Sequence, residues 1–380
     1  MVRADRSAWS DLAFAAGAGG DGQVVDLHRR ARFGVLLAAQ YDRQEADLPL
    51  LRFLLEQEIV WYREVDAWGW SSALERAGLL VAEHRQLGDV WLQWQLKRLS
   101  FDTALGYRTF YLLAGGVAAT VAEVRASDHP DREWLLRELL GAGHGGDPDP
   151  DPPQASRFTD ADVTGWLADR RARFPDDPTV EDARTWATHA SVLGDRDASG
   201  RFIRQWAQSQ PRTWSTLNTL QYHLAQLGLL QEAITAQTEA LDVSEPGWST
   251  ASGCLRLAEL HRLAGDYRSA RQAADRCAGA LPGDRAGIAQ GLWRHYLREL
   301  FLLVPLAPTT GDARRLLADA TGQLAGIPRL WMDRVLDAAE TAVNHAGDEQ
   351  MRHHYQALRR TADDESHQAL ARIEPTNPPP

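Results

Sequence analysis

Cysteine, lysine and strand-forming patterns are what this 380-residue chain has least of. Its two cysteines, Cys254 and Cys277, have no CxxC spacing, which excludes a disulfide framework and predicts reduced, buried thiols in a cytoplasmic protein. Lys97 is the single lysine among 41 basic residues, so lysine-based catalysis has little to draw on. No stretch approaches the roughly 20 uninterrupted apolar residues a membrane helix needs. The segment LAFAAGAGG near the start, interrupted upstream by Asp11, is too weak for a signal peptide. There is no GxxxxGK[ST] phosphate loop, no HExxH zinc helix and no GxSxG nucleophile turn. Asp147, Asp149 and Asp151 imitate the opening of a calcium loop. Proline stands where glycine is needed and Phe158 where a glutamate would close the site, so the run reads as linker. No cofactor or metal is expected. A net charge of -11 and a pI near 5.6 weigh against nucleic acid as partner, because neutralising phosphates needs clustered positive charge.

Alternating β-branched runs bounded by turn dipeptides are absent, whereas apolar residues recur at three- and four-residue spacing nearly everywhere. The chain therefore reads as all-α. Residues 1–22, rich in glycine and alanine, are expected to be a flexible N-terminus. Residues 23–140 form an irregular helical region, with helices expected near 24–41, 47–66, 71–86, 89–101, 104–126 and 131–140. Residues 141–158 form a Gly/Pro/Asp linker, 159–373 a second helical region of paired helices, and 374–380 a proline-rich tail without backbone donors for a helix.

The second region repeats itself. LGDRDASGRFIRQWAQSQP from Leu193, LGLLQEAITAQTEALDVSEP from Leu227 and AGDYRSARQAADRCAGALP from Ala264 align on Gly194, Gly228 and Gly265, which lie 34 and then 37 residues apart. A period near 34 signals a helix-turn-helix repeat. Each glycine can take the left-handed conformation that closes a helix. Small residues at Ala187 and Ala258, and at Ser199, Ala233 and Ala270, permit close helix approach, and Pro211, Pro246 and Pro282 stop each second helix. Weaker pairs follow at Gly311 and Gly347.

These segments resemble the tetratricopeptide repeat family. The unit LAQLGLLQEAITAQTEAL matches best, at Gly228, Leu230, Ala233, Ala240 and, one residue late, Pro246; Gln221 departs from the small residue usual at its position. The resemblance covers residues 180–284 and extends more weakly to 370. It implies an α-solenoid whose concave face is lined by the first helix of each repeat, here Glu181, Arg184 and Thr188, then Asn218, Tyr222 and Gln226, then Glu259 and Arg262. Such a polar, mixed-charge set suits a peptide or protein partner; the competing explanation is an ordinary solvated helix face. His189, His223 and His261 recur at similar places in the three units. Repeats about 10 Å apart cannot easily share a metal bonded near 2 Å, so these are expected to be packing histidines.

Fourteen tryptophans are many for this length, and Trp61, Trp68, Trp70, Trp91 and Trp94 crowd the first half. Trp91, Trp94, Arg98 and Phe101 share a helical spacing, which reads as a packed seam or as an aromatic-lined pocket. Glu58 lies on an apolar helix face with Leu54, Leu55, Tyr62 and Val65, and a buried carboxylate needs a partner or a raised pKa. Glu83, His84 and Asp102 offer further acid–base groups, although Asp102 also suits the N-cap of a helix starting near Ala104. Glu58, His84 and Asp102 are thus the catalytic candidates of an alternative reading, a helical small-molecule-binding protein or enzyme with a pocket at Trp61, Trp91, Trp94 and Arg98. His345, Glu349, His353 and His354 share a helix, and an exposed helical face accounts for them.

Overall fold

In a computed structural model, the described residues are 3, 5–19, 23–65, 69, 71–141, 156–281, 283, 290–324, 327 and 332–373. Trp68, Trp70, Pro282, most of the linker and the proline-rich tail lie outside them. The described chain is helical almost throughout and falls into two compact units, Met1–Asp195 and Arg196–Pro380. Among the described residues no helix is long and apolar enough to cross a membrane.

The first unit begins with a feature absent from the sequence reading. A 3-10 turn at Arg6–Leu12 leads into a small antiparallel hairpin of β1 (Ala16–Ala18) and β2 (Val24–Asp26), where residues 1–22 had been expected to be loose. Three-residue strands carry too few side chains to show an alternating pattern, so periodicity had nothing to register. Helices α1 (Arg29–Tyr41), α2 (Leu48–Glu64), α3 (Ser72–Glu83), α4 (Val90–Lys97), α5 (Phe101–Gly106), α6 (Val117–Ala126) and α7 (Arg132–Leu140) follow. The helix expected over 104–126 is in fact two, α5 and α6, separated by residues 107–116, which hold a 3-10 turn at Thr109–Tyr111 and end at Gly116 with φ +108. Helix α5 is capped by Ser100, whose hydroxyl accepts from the Thr103 amide while Thr103 Oγ1 accepts from the Ser100 amide. Asp102 is therefore not the cap. It lies within the first turn and accepts from the Gly69 amide at 2.8 Å.

Helices α8 (Asp160–Arg173) and α9 (Ala183–Leu193) come after the Gly/Pro/Asp stretch yet belong to the first unit. Phe110, Tyr111, Phe158 and Trp166 stack into one aromatic cluster, and Val163, Leu167 and Phe174 join the core built by α2, α3 and α4. The unit's only lysine is also interior: Lys97 is 5 % exposed, donates to the Ala104 and Tyr107 carbonyls at 2.8 and 2.7 Å, and pairs with Glu138. It closes the C-terminal end of α5, where a cation is favoured.

The second unit contains α10 (Arg196–Gln208), α11 (Trp214–Gln226), α12 (Leu230–Asp242), α13 (Trp248–Leu263), α14 (Tyr267–Ala280), α15 (Gln290–Leu303), α16 (Thr310–Leu324), α17 (Asp333–Ala346) and α18 (Glu349–Ile373). Consecutive helices pack as neighbours: α11 with α12, α12 with α13, α13 with α14, α14 with α15. Beyond α15 the succession changes, because α15 packs on both α16 and α17.

The turns at Gly228 and Gly265 share one geometry with that at Gly194 in the first unit. All three glycines have φ between +75 and +84, and in each the following amide bonds back to a carbonyl five residues earlier: Asp195 to Ala190, Leu229 to Leu224, Asp266 to His261, each at 2.9 Å. This satisfies otherwise orphaned helix carbonyls, and the backbone needs glycine because a Cβ disfavours the left-handed region. Ala187, Ala233, Ala258 and Ala270 are each fully buried, and Ser199 is 1 % exposed. Cys254 and Cys277 are both free and buried, and burial pushes the Cys277 thiol up to about 12.

Candidate functional site

Helices α11 and α13 bound a groove of about 300 Å³. Its α11 wall presents Trp214, Asn218 and Tyr222, spaced four residues apart so that they stand on one face. Its α13 wall presents Ser252, Gly253 and Arg256, and Gln221 bridges the two. Tyr222 is 51 % exposed despite being aromatic. Gln221, only 3 % exposed, donates to Asn218 Oδ1 at 3.1 Å and accepts from Arg256 Nε at 3.0 Å; Arg256 in turn reaches Glu259 at 2.6 Å. The polar residue that departs from the repeat pattern thus holds α11 and α13 together through a buried amide. Further along α13, Arg262 donates to Glu299 of α15 at 2.6 Å. Burial raises the Glu299 carboxyl and Arg262 opposes that shift.

Asn218 and Tyr222 therefore meet in the groove, and Glu259 joins them through Arg256. Gln226 is exposed at the end of α11, and Arg262 is committed to Glu299. Trp214, Ser252 and Arg256 were missed by sequence reasoning. Trp214 lies one turn before Asn218, so extending the helical spacing backwards finds it; Arg256 required knowing which face of α13 turns toward α11.

Glu181 is a correction. It precedes α9 rather than lying on it, and its side chain is 4 % exposed inside the first unit. Its carboxylate accepts from Gln40 Nε2 at 3.0 Å and Tyr41 Oη at 2.6 Å, and faces His189 Nε2 at 2.9 Å, while Arg76 donates to Gln40 Oε1 at 2.5 Å. Burial lowers the His189 pKa and the Arg76 cation lowers it further, with Glu181 acting the other way. Burial lowers Arg76 to about 10. Arg184 is exposed on α9, and Thr188 Oγ1 donates to the Arg184 carbonyl.

Of the alternative catalytic residues, Glu58 and Asp102 have separate partners. Glu58 is 1 % exposed and accepts from Arg32 Nε at 3.0 Å, with Arg32 also paired to Asp26 and donating to the Leu12 carbonyl at 3.2 Å. Burial pushes the Glu58 carboxyl up, against the pull of Arg32 and Arg29. This pair pins the N-terminal hairpin to α1 and α2. His84 lies at the end of α3, where burial lowers its pKa; Glu83 pairs with Arg43 at 3.2 Å; Asp102 holds Gly69.

The tryptophans are similarly engaged. Trp61 is covered by the Arg29 guanidinium at 3.6 Å. Trp91 stacks on His129 at 4.0 Å, and Trp94 Nε1 donates to Asp131 at 3.1 Å, which also pairs with Arg98 at 2.6 Å. Trp91, Trp94 and Arg98 thereby fasten the 127–131 loop to α4, while Phe101 points into solvent at 77 % exposure. Among the described residues no group of three or more His, Cys, Asp or Glu side chains is placed to hold a metal ion.

Comparison with known proteins finds no matching family model and no matching curated protein.

Proposed function

We propose that this chain is a tetratricopeptide-like interaction protein that binds a peptide or protein partner along the α11–α13 groove, with its repeats stacked as a solenoid and this groove on the concave side. The observation that carries the reading is the composition of the groove: an exposed Tyr222 and a Trp214 side chain beside the hydrogen-bonded row of Asn218, Gln221, Arg256 and Glu259. An aromatic ledge takes an apolar side chain, and the Asn218 amide, held in place by the buried Gln221, meets the backbone of an extended segment at little further ordering cost. An enzyme in the first unit is disfavoured because Glu58 is ion-paired with Arg32 and Trp91 and Trp94 are held by His129 and Asp131.

The test is affinity capture from the native cell extract by wild-type protein and by a Tyr222→Ala/Asn218→Ala variant, with bound proteins quantified. Both positions are at least partly exposed, so the variant is expected to fold. A partner held by the wild type should fall at least tenfold on the variant, the loss expected of about 1.4 kcal/mol. Equal recovery of every partner on both proteins rejects the groove.

A further inference from the structure

A second cavity of about 390 Å³ lies against α10, away from every residue of the α11–α13 groove. Arg196, Gly200, Arg201 and Arg204 line it from α10, and Leu227 and Leu229 close it from the turn before α12. Its size falls within the range of small-molecule sites, about 300 to 1,000 Å³.

The arginines differ in what they already do. Arg204 is locked in a fork to Glu232 of α12, Nε and Nη2 each 2.8 Å from one carboxylate oxygen. That pairing leaves Nη1 without an acceptor among the described residues. Nη1 is directed over Gly200, 3.1 Å from where a Cβ at that position would stand, with the Leu227 and Leu229 methyls 3.7 Å from the same point. The missing side chain is therefore part of the cavity floor. Arg196 and Arg201 are exposed on the same helix and have no hydrogen-bond or ion-pair partner among the described residues. Asp197 is the one carboxylate on the cavity wall, since Glu232 is occupied by Arg204.

We infer that this cavity binds a phosphomonoester carrying an apolar group. Guanidinium forks match phosphate oxygens geometrically and remain charged at any relevant pH. Two unpaired guanidiniums and the free Nη1 of a third offer more donors than a single carboxylate can use, and the leucine wall favours an apolar body over a bare ion. The source of the ester is either a free small molecule or a phosphorylated side chain, and both present the same chemistry to the site.

The test is calorimetric titration of the full chain with phenyl phosphate, inorganic phosphate, benzoate and a short phosphotyrosine peptide. Saturable binding of phenyl phosphate, tighter than that of inorganic phosphate or benzoate, is expected. Tighter binding of the peptide or of phenyl phosphate supports the site and identifies its source. Arg201→Ala and Arg196→Ala should each weaken binding about tenfold or more, the usual scale for a lost charge-assisted hydrogen bond. Arg212→Ala, at an exposed arginine paired with Glu239 elsewhere on the unit, should leave it unchanged. No saturation by about 10 mM phenyl phosphate, or equal affinity of wild type and Arg201→Ala, overturns the proposal. Inorganic phosphate binding as tightly as the ester overturns the apolar half of it.

Discussion

Arg32 shows how much the first unit stakes on single charges. Its side chain and those of Asp26 and Glu58 are essentially excluded from solvent, so each carboxylate depends on the guanidinium for compensation. Replacing Arg32 by Met removes the cation and strands two buried acids, and is expected to cost about 3–5 kcal/mol in urea denaturation. An Arg32→Met/Glu58→Leu double variant should recover part of that loss, because a buried pair replaced by apolar volume no longer carries a desolvation penalty. His189 supplies part of the pH dependence, alongside His84 and His295, whose folded pKa values burial also lowers. The folded pKa of His189 is below the ordinary 6.5, so between the two values the unfolded chain binds the extra proton. Stability from this group is full above about 6.5 and drains as pH falls toward the folded value. The urea midpoint should drop between about pH 7.5 and about pH 5.5 in the wild type, and drop less in His189→Gln. A variant with the same pH slope as the wild type would assign the effect to another group. Both networks were only half legible in the sequence: Glu58 stood out because its helix neighbours are apolar, but Arg32, Asp26 and Gln40 gave no sign of being its counterpart or Glu181's.

At the scale of the element, glycines that look alike in sequence perform opposite roles. Gly228 sits at φ +75 with nothing near its virtual Cβ, so Gly228→Ala introduces backbone strain without a clash and should destabilise by about 1–2 kcal/mol. Gly165 lies mid-way along α8, exposed, with equally open space around it and no positive φ. Gly165→Ala should stabilise by about 0.5–1 kcal/mol, since alanine loses less chain entropy in a helix. Thermal melts of the two variants check the contrast, and shifts of the same sign would contradict it. Spacing alone identified Gly228 as a helix stop, because the glycine recurs with apolar partners at fixed offsets. It failed over residues 107–116, where the apolar pattern runs on through the break and the reading gives one continuous helix.

For the molecule as a whole, the division between the units falls after α9, not at the Gly/Pro/Asp stretch. Trp166, Val163, Leu167 and Phe174 bring apolar surface that packs with Phe110, Tyr111 and the α2–α4 core, and Arg170 pairs with Glu75 at 3.3 Å. Residues 1–141 and 156–380 co-expressed as separate chains should therefore copurify at one-to-one stoichiometry on size exclusion. Independent elution would show that the covalent link, rather than the shared aromatic core, holds α8 in place. The sequence by itself determined the helical class and the glycine turns, because helix periodicity and left-handed caps are decided within a few residues of each other. Only the tertiary structure decided that Glu181 turns inward to Gln40 and Tyr41, that Gln221 joins α11 to α13, and that three short strand residues at each arm pin the start of the chain. Those contacts join positions from 6 to 141 residues apart, and which face of a helix meets which neighbour is set by the packing of the whole core, a choice no local pattern encodes.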